Sequence, residues 1–251
     1  MRVLFLGKGR HQDHPTIGPF LAMGPARGHV VQLCDKRQFV DGDLPLRELS
    51  QFDLVCLKSH YQDPQVAKTL ERIQVRSVNR LDATVACLDR GQLERRLRAA
   101  HIPLPASALD IQEAAALTFP LVQKPLAADL HKVKMHTEPP SFDCNRYFYQ
   151  QYITAPVNYK VYCVGERMFV AELGCDPESC GVVSSRRWLD QWEASLGRHA
   201  LQVGQTIGLE IFNVDLVPHE GEYLTIDVNP FPGFVGAEDA PSAWWEYLES
   251  L

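Results

Sequence analysis

The stretch from Gly208 to Gly233, GLEIFNVDLVPHEGEYLTIDVNPFPG, constrains this chain more than any other part of it. It reads as two apolar strands joined by the short turn His219-Glu220-Gly221-Glu222. Asp215 closes an apolar run on the first strand, and Asp227 and Asn229 stand two apart on the second. Side chains on a strand alternate faces, so Asp227 and Asn229 point the same way. A hairpin folds Asp215 back beside them. Two carboxylates and an amide oxygen at one spot form a hard-oxygen site. Mg²⁺ carrying a nucleoside triphosphate suits such a site, because the ion keeps water and phosphate oxygens as its remaining ligands. The plainer alternative, a hairpin with surface acids, sits badly with the apolar flanks and the Asn-Pro-Phe-Pro-Gly tail.

Bulk properties narrow the field. Hydrophobic residues make up 45% and charged residues 22% of 251, ordinary values for a globular chain of one large or two small domains. A formal charge of −6 argues against nucleic acid as the main partner, since phosphate backbones call for a basic surface. No apolar run approaches the roughly 18 residues that span a membrane. The opening MRVLFLGKGR is too short in its apolar core for a signal peptide and reads as a first strand. The seven cysteines form no CxxC pair and no zinc spacing, and Cys175 and Cys180 flank a loop of free thiols. A reduced, cytoplasmic protein is the expectation.

Along the first 78 residues, Val3–Leu6, Val30–Cys34 and Leu54–Leu57 are short apolar runs separated by helix-compatible stretches, which predicts a small parallel sheet. Gly7-Lys8-Gly9 lacks the full GxGxxG pattern of a nucleotide loop. It lies instead where open α/β sheets bind substrates, at a strand's carboxyl end, and His11, Asp13 and His14 follow it as polar contacts. From Asn79 to Ser107 the pattern turns helical, with Val85, Leu88, Leu93 and Leu97 on one face and a stop at Ile102-Pro103-Leu104-Pro105. Arg95, Arg96 and Arg98 read as its solvated side. FPLVQKP ends a buried strand on Lys124, which could merely snorkel to solvent. YFYQQYI (147–153) is a strand whose main-chain groups can recognise adenine, and NYKVYCVGERMFV (158–170) is a second hairpin turning at Val164-Gly165-Glu166. Ser184 to Arg187 read as a polar loop before a helix from Trp188 to Thr206, with arginines suited to bidentate grip on carboxylate or phosphate. The terminal PSAWWEYLESL reads as an amphipathic helix that docks Trp244, Trp245, Tyr247 and Leu248 on the core or offers them to a homodimer.

Taken together, VDLV…YLTIDVNPFPG resembles the terminal metal-binding hairpin of the ATP-grasp superfamily, nearest to the RimK-like ligases and the inositol trisphosphate 5/6-kinases. The resemblance spans nearly the whole chain and implies an α/β and α+β ATP-grasp fold. Residues 1–78 would form an N-terminal Rossmann-like (pre-ATP-grasp) domain, 79–153 a first grasping subdomain, and 154–251 a second with the metal hairpin. It implies Asp215, Asp227 and Asn229 as ligands of one or two Mg²⁺ ions, with Mn²⁺ as a substitute, bridging the phosphates of ATP. The motifs LDRGQLERRLRAAHIPLP and FPLVQKP are similar to the family's phosphate-binding helix and strand, which implies Arg90 and Lys124 on the phosphates. YFYQQYI resembles the hinge, which implies Gln150, Gln151, Tyr152 and Ile153 around adenine, with Gln151 where an acid is usual. NYKVYCVGE resembles the hairpin whose cation, here Lys160, faces phosphates or substrate, although Asn158 replaces the usual Asp. In the ligases an arginine near Arg186 and Arg187 stabilises an acyl-phosphate. The family's glycine-rich loop is missing from Leu126 to Lys134, where His131 and Lys132 would act as side-chain donors instead.

The implied activity is an ATP- and Mg²⁺-dependent carboxylate–amine ligase acting through an acyl-phosphate on a small molecule or peptide. Phosphoryl transfer to a hydroxyl, as in the inositol kinases, and a non-catalytic nucleotide-binding module are the alternatives on the same site. Positioning and charge neutralisation by Mg²⁺, Lys124, Lys160 and Arg90 would lower the barrier without a protein nucleophile.

Overall fold

Apolar runs separated by helical stretches become a parallel sheet, as expected. The computed structural model describes residues 1–35, 49–58, 64–73, 75–127, 133–176 and 183–251. Strands β1 (Arg2–Leu6), β2 (Val30–Cys34), β3 (Leu54–Leu57) and β4 (Arg76–Val78) pair in parallel in the order β2-β1-β3-β4. The central β1 and β3 are buried on both faces, apart from Arg2, which is why they read as continuous apolar runs. Helix α1 (Ile17–Ala26) and α2 (Pro64–Ile73) belong to this layer.

The single helix expected between Asn79 and Ser107 is two: α3 (Leu81–Ala86) and α4 (Arg90–Ala99). The break has a local cause. Asp89 takes an extended conformation and its Oδ1 accepts the Gln92 N–H at 2.9 Å, so it caps a new helix rather than continuing the old one. Arg98 is not merely solvated either, since its Nε holds the buried Glu94 at 2.9 Å. At the junction into this region the buried Asn79 acts as a piece of strand. Its Oδ1 accepts the N–H groups of Glu210 and Ile211, and its Nδ2 donates to the Ile211 carbonyl.

A second sheet holds β5 (Ser107–Ala108), β6 (Leu121–Pro125), β7 (Lys134–His136) and β8 (Tyr147–Gln151) in the order β5-β8-β6-β7, with the short α5 (Ile111–Ala115) beside it. The third is antiparallel throughout. It orders β9 (Val157–Val164), β10 (Arg167–Cys175), β11 (Val183–Leu189), β12 (Ile211–His219) and β13 (Glu222–Pro230) as β11-β10-β9-β12-β13. The β12–β13 turn has Glu220 at φ 50° and Gly221 at φ 85°, the left-handed pair that a two-residue hairpin turn needs. Residues 183–189 form strand β11 where the sequence suggested a loop, and the following helix, α6 (Ala194–Ile207), starts later than Trp188. Pairing with Val170 to Cys175 of β10 supplies the strand's hydrogen bonds, a tertiary effect that a polar Ser-Ser-Arg-Arg run does not announce.

Period-two alternation divides this sheet cleanly. Val161, Cys163, Phe212, Val214 and Val228 pack against Leu196, Ala200, Val203 and Ile207 of α6 and against Leu93 and Leu97 of α4. The opposite face therefore carries the residues of the other parity, among them Asn213, Asp215, Asp227 and Asn229 of the hairpin. The terminal helix, α7 (Ala240–Glu249), docks on the chain's own core. Trp244 and Trp245 are fully buried, and the Trp245 Nε1–H donates to the Phe20 carbonyl at 2.8 Å. Those rings are engaged within the chain rather than offered to a second copy.

Cys34, Cys56, Cys87, Cys144, Cys163 and Cys175 are free thiols, and Cys180 lies outside the described residues. Among the described residues no helix is long and apolar enough to cross a membrane.

Candidate active site

The register of the hairpin puts Asp215 directly opposite Asp227 and Asn213 directly opposite Asn229. Cross-strand partners have Cβ atoms about 5 Å apart, so two carboxylates and two amides share one patch. Asn229 Nδ2 donates to Asp227 Oδ2 at 3.0 Å, and the buried Asn213 donates to Asp215 Oδ1 at 2.7 Å. On the neighbouring β9, Lys160 pairs with Asp215 in register, and its Nζ lies 2.8 Å from the carboxylate. Burial works against the charge on Lys160, yet the carboxylate beside it wins and raises its pKa. Burial likewise pushes the Asp215 carboxyl up, against the pull of Lys160.

Do these residues fit Mg²⁺? Among the described residues no three His, Cys, Asp or Glu side chains converge. The protein thus offers two carboxylates and an amide oxygen, all hard donors on one face. That set suits an ion which completes its shell with phosphate and water, and is too sparse for a metal held by protein alone.

Across a cleft lies the second sheet. Leu216 pairs with Thr225 while Asp215 pairs with Asp227, which leaves Ile226 as the extra residue of a β-bulge. Lys124 of β6 reaches over and donates to the Ile226 carbonyl at 2.7 Å and to Gln150 Oε1 at 3.0 Å. Burial lowers the Lys124 pKa, with Asp227 and Asp215 opposing and Arg90 reinforcing the shift. Arg90, the first residue of α4, donates from Nη1 to the Pro125 carbonyl at 2.6 Å, and its buried Nε has no partner among the described residues.

Beside Lys124 the two sheets enclose a cavity of about 140 Å³. Val122 and Val133 form one wall, Cys175, Val217 and Ile226 the other, and Gln150 to Ile153 the connecting edge. The N–H groups of Gln151 and Tyr152 are engaged with the carbonyls of Ala106 and Pro120. Asn158 also lines this cavity, and its buried Oδ1 is without a partner among the described residues.

The alternation of β11 separates its two arginines. Arg186 stands in register with Leu173, on the same face as Lys160, with its Nη2 donating to the Tyr162 hydroxyl at 2.7 Å and its guanidinium over the Trp188 ring at 4.7 Å. Arg187 points the other way, is exposed, and pairs with Glu172 at 2.9 Å. The structure therefore brings together Arg90, Lys124, Gln150, Gln151, Tyr152, Ile153, Lys160, Asp215, Asp227 and Asn229 around one cleft and its rim, adds Arg186 to the sheet face, and leaves Arg187 outside. His131 and Lys132 lie outside the described residues.

Two participants escaped the sequence reading. Asn213 mirrors Asn229 across the hairpin, and the signal was present in the Asn213-Val214-Asp215 spacing. Lys58 ends the run LVCLK just as Lys124 ends LVQK.

No protein-family model and no curated protein sequence matches the chain, but solved structures do. A D-alanine–D-alanine ligase from Bacillus anthracis complexed with ATP superposes with a TM-score of 0.72 at 16% identity, covering 100% of this chain and 96% of that one. A RimK domain ATP-grasp protein from Sphaerobacter thermophilus DSM 20745 gives 0.74 at 18% identity over 99% and 100%. The macrocyclase MdnC of Microcystis aeruginosa MRC, bound with its precursor peptide MdnA, gives 0.68 at 15% over the full length of both chains. The chain has the ATP-grasp fold, and these structural neighbours are a ligase, a RimK-domain protein and a macrocyclase. None of the three represents the inositol-kinase branch of the resemblance.

Proposed function

We propose that this protein is an ATP- and Mg²⁺-dependent ligase that joins a carboxylate to an amine through an acyl-phosphate. In this reading residues 1–78 are an N-terminal domain, and 79–153 and 154–251 are the two subdomains that grip the nucleotide. The observation that carries it is the pairing of an apolar cleft with unmatched polar atoms at both ends. The orphaned Asn158 Oδ1 lies at the base end and the orphaned Arg90 Nε at the phosphate end, with Lys124 between them. A buried polar atom without a partner costs about 1–3 kcal/mol, and a nucleotide would supply both partners at once.

Adenine would slide between the valine wall and Val217/Ile226, taking its chain donor from Ile153 because the two preceding amides are engaged. The Asn158 Oδ1 would accept from a ribose hydroxyl. Lys124 would exchange its bond to the Ile226 carbonyl for phosphate oxygens, joined by Arg90. Asp215, Asp227 and Asn229 would hold Mg²⁺, which would neutralise part of the triphosphate charge. A carboxylate oxygen of the substrate then attacks the γ-phosphorus and ADP departs. The amine displaces phosphate from the acyl carbon and loses a proton. Lys160 and Arg186, on the same sheet face, would hold the anionic oxygens of that step. The neighbouring ligases, one bound to a precursor peptide, support a small molecule or peptide as the substrate class.

The test is an ADP-release screen with carboxylates and amines offered singly and together. The ligase reading expects ADP only when both are present, with an amide as product. Release that needs a hydroxyl acceptor and yields a phosphate ester would overturn it.

A further inference from the structure

Phe231 to Gly236 leave the metal-face hairpin in a strained course, with Phe231 at φ 45° and Phe234 at φ 50°, left-handed values that bulky residues resist. Two fully buried rings hold the strain in place. What the tail meets is the carboxyl edge of the parallel sheet. Lys58, directly after β3, donates from Nζ to the Phe231 carbonyl at 2.7 Å and has no carboxylate partner among the described residues. Beside it, His11 Nδ1 accepts the Lys8 N–H at 3.0 Å, and His14 Nδ1 accepts the N–H groups of Thr16 and Ile17 at 3.2 and 3.3 Å. Backbone donors thus fix both rings as the Nε2–H tautomer. A side chain at Gly233 would come within 2.8 Å of His14 Nε2, so the tail runs close against that outward donor.

The electrostatics match this geometry. Burial holds His11 neutral, with a pKa lowered to about 4, and lowers His14 as well, with Lys58 adding to both shifts. The half-buried core of the cluster is two neutral N–H donors and one ammonium. Lys8 and Arg10 lie nearby on the exposed side, Asp13 stands between the two histidines in the chain, and Asp35 is engaged with the Gly9 N–H. One ammonium with two flanking neutral donors at the half-buried core suits a planar carboxylate, with Lys8 and Arg10 adding positive charge on the exposed side, and phosphate is the competing anion that the test includes.

We propose that His11, His14 and Lys58 bind a second carboxylate of the acid substrate, one that is held rather than activated. The reacting carboxylate belongs at the metal face, and Phe231 is two residues from Asn229, at most about 7 Å of chain. The substrate is therefore a short dicarboxylate, or an amino acid or peptide that carries a second carboxylate within that reach. This inference rests on the ligase reading for the position of the reacting group, not for the grouping of the three donors.

The test uses the full chain saturated with Mg²⁺ and a non-hydrolysable ATP analogue, with imidazole nitrogen NMR as the readout and glutarate, acetate and inorganic phosphate as probes. The His11 and His14 Nε2–H signals should move saturably with glutarate. Lys58→Met should weaken that binding roughly ten- to hundredfold. Because Lys58 is partly buried and its loss could harm folding, His14→Asn is the second variant. Its amide oxygen can keep accepting the helix N–H groups while the outward donor is lost, and it should weaken glutarate about fivefold. Nucleotide binding should stay within about twofold in both variants. Imidazoles unmoved by glutarate in protein that binds the analogue, or moved by phosphate alone, would overturn the proposal and leave the ligase reading standing. Glutarate binding without any nucleotide binding would sink the ligase reading and keep the carboxylate site.

Discussion

The two sheets that flank the cleft hold their lysines in opposite ways. On the five-stranded sheet Lys160 is matched to Asp215 at 2.8 Å, a local ion pair whose charges largely cancel. On the sheet of β6 Lys124 has, among the described residues, only neutral partners, Gln150 and the Ile226 carbonyl. Among those residues the second arrangement leaves a positive charge without an anion in contact, which is costly unless an anion arrives. The first holds a carboxylate that a divalent ion can take over. In the proposed function one sheet would receive phosphate and the other metal, and the β-bulge at Ile226 is where they touch.

The comparison can be broken most forcefully at Lys124. Lys124→Met should lower affinity for the Mg²⁺-bound ATP analogue by about 2–3 kcal/mol, roughly 30- to 150-fold in calorimetry, as expected for lost charge-assisted bonds. An unchanged affinity would make the two lysines equivalent bystanders. Lys160→Met leaves Asp215 partly buried without its cation. The folded state should lose about 1–3 kcal/mol, less than a fully buried pair because both side chains keep some solvent. Added Mg²⁺ should restore much of that loss in a thermal melt, and should do little for Lys124→Met.

A pH series sharpens the contrast with the parallel sheet. His11 is neutral in the fold down to about pH 4, whereas the unfolded chain takes its proton near 6.5. The unfolded state therefore binds more protons between those values, and stability falls as pH drops through the window. His14 and His199, also lowered by burial, act in the same direction. His11→Asn should flatten the slope of urea midpoints between about pH 7 and pH 4.5. The smallest effect belongs to Arg187→Ala, which removes an exposed pair with Glu172 and should change nucleotide affinity less than about twofold. Equal losses for Arg186→Ala and Arg187→Ala would contradict the separation of the two arginines by strand parity.

What could be read from the sequence follows the range of the interactions. The clustering of Asp215, Asp227 and Asn229 is legible because they lie within one hairpin, where alternation and a Glu-Gly turn settle their geometry locally. Lys124 is legible because a polar residue ending a buried run is an anomaly in itself. The same anomaly at Lys58 went unread, since its meaning depends on Phe231, 173 residues away. Strand β11 was mistaken for a loop because its order comes from β10 rather than from its own Ser-Ser-Arg-Arg composition. The division of one helix into α3 and α4 was visible in Asp89, a good cap, but an uninterrupted apolar period masked it.

The most direct test of the account is calorimetric binding of the ATP analogue with and without Mg²⁺, on wild type and on Asp227→Ala. Binding that needs Mg²⁺ in the wild type and loses that dependence, together with most of its affinity, in the variant is the predicted result. Identical binding by both proteins, or none by well-folded wild type, would contradict it.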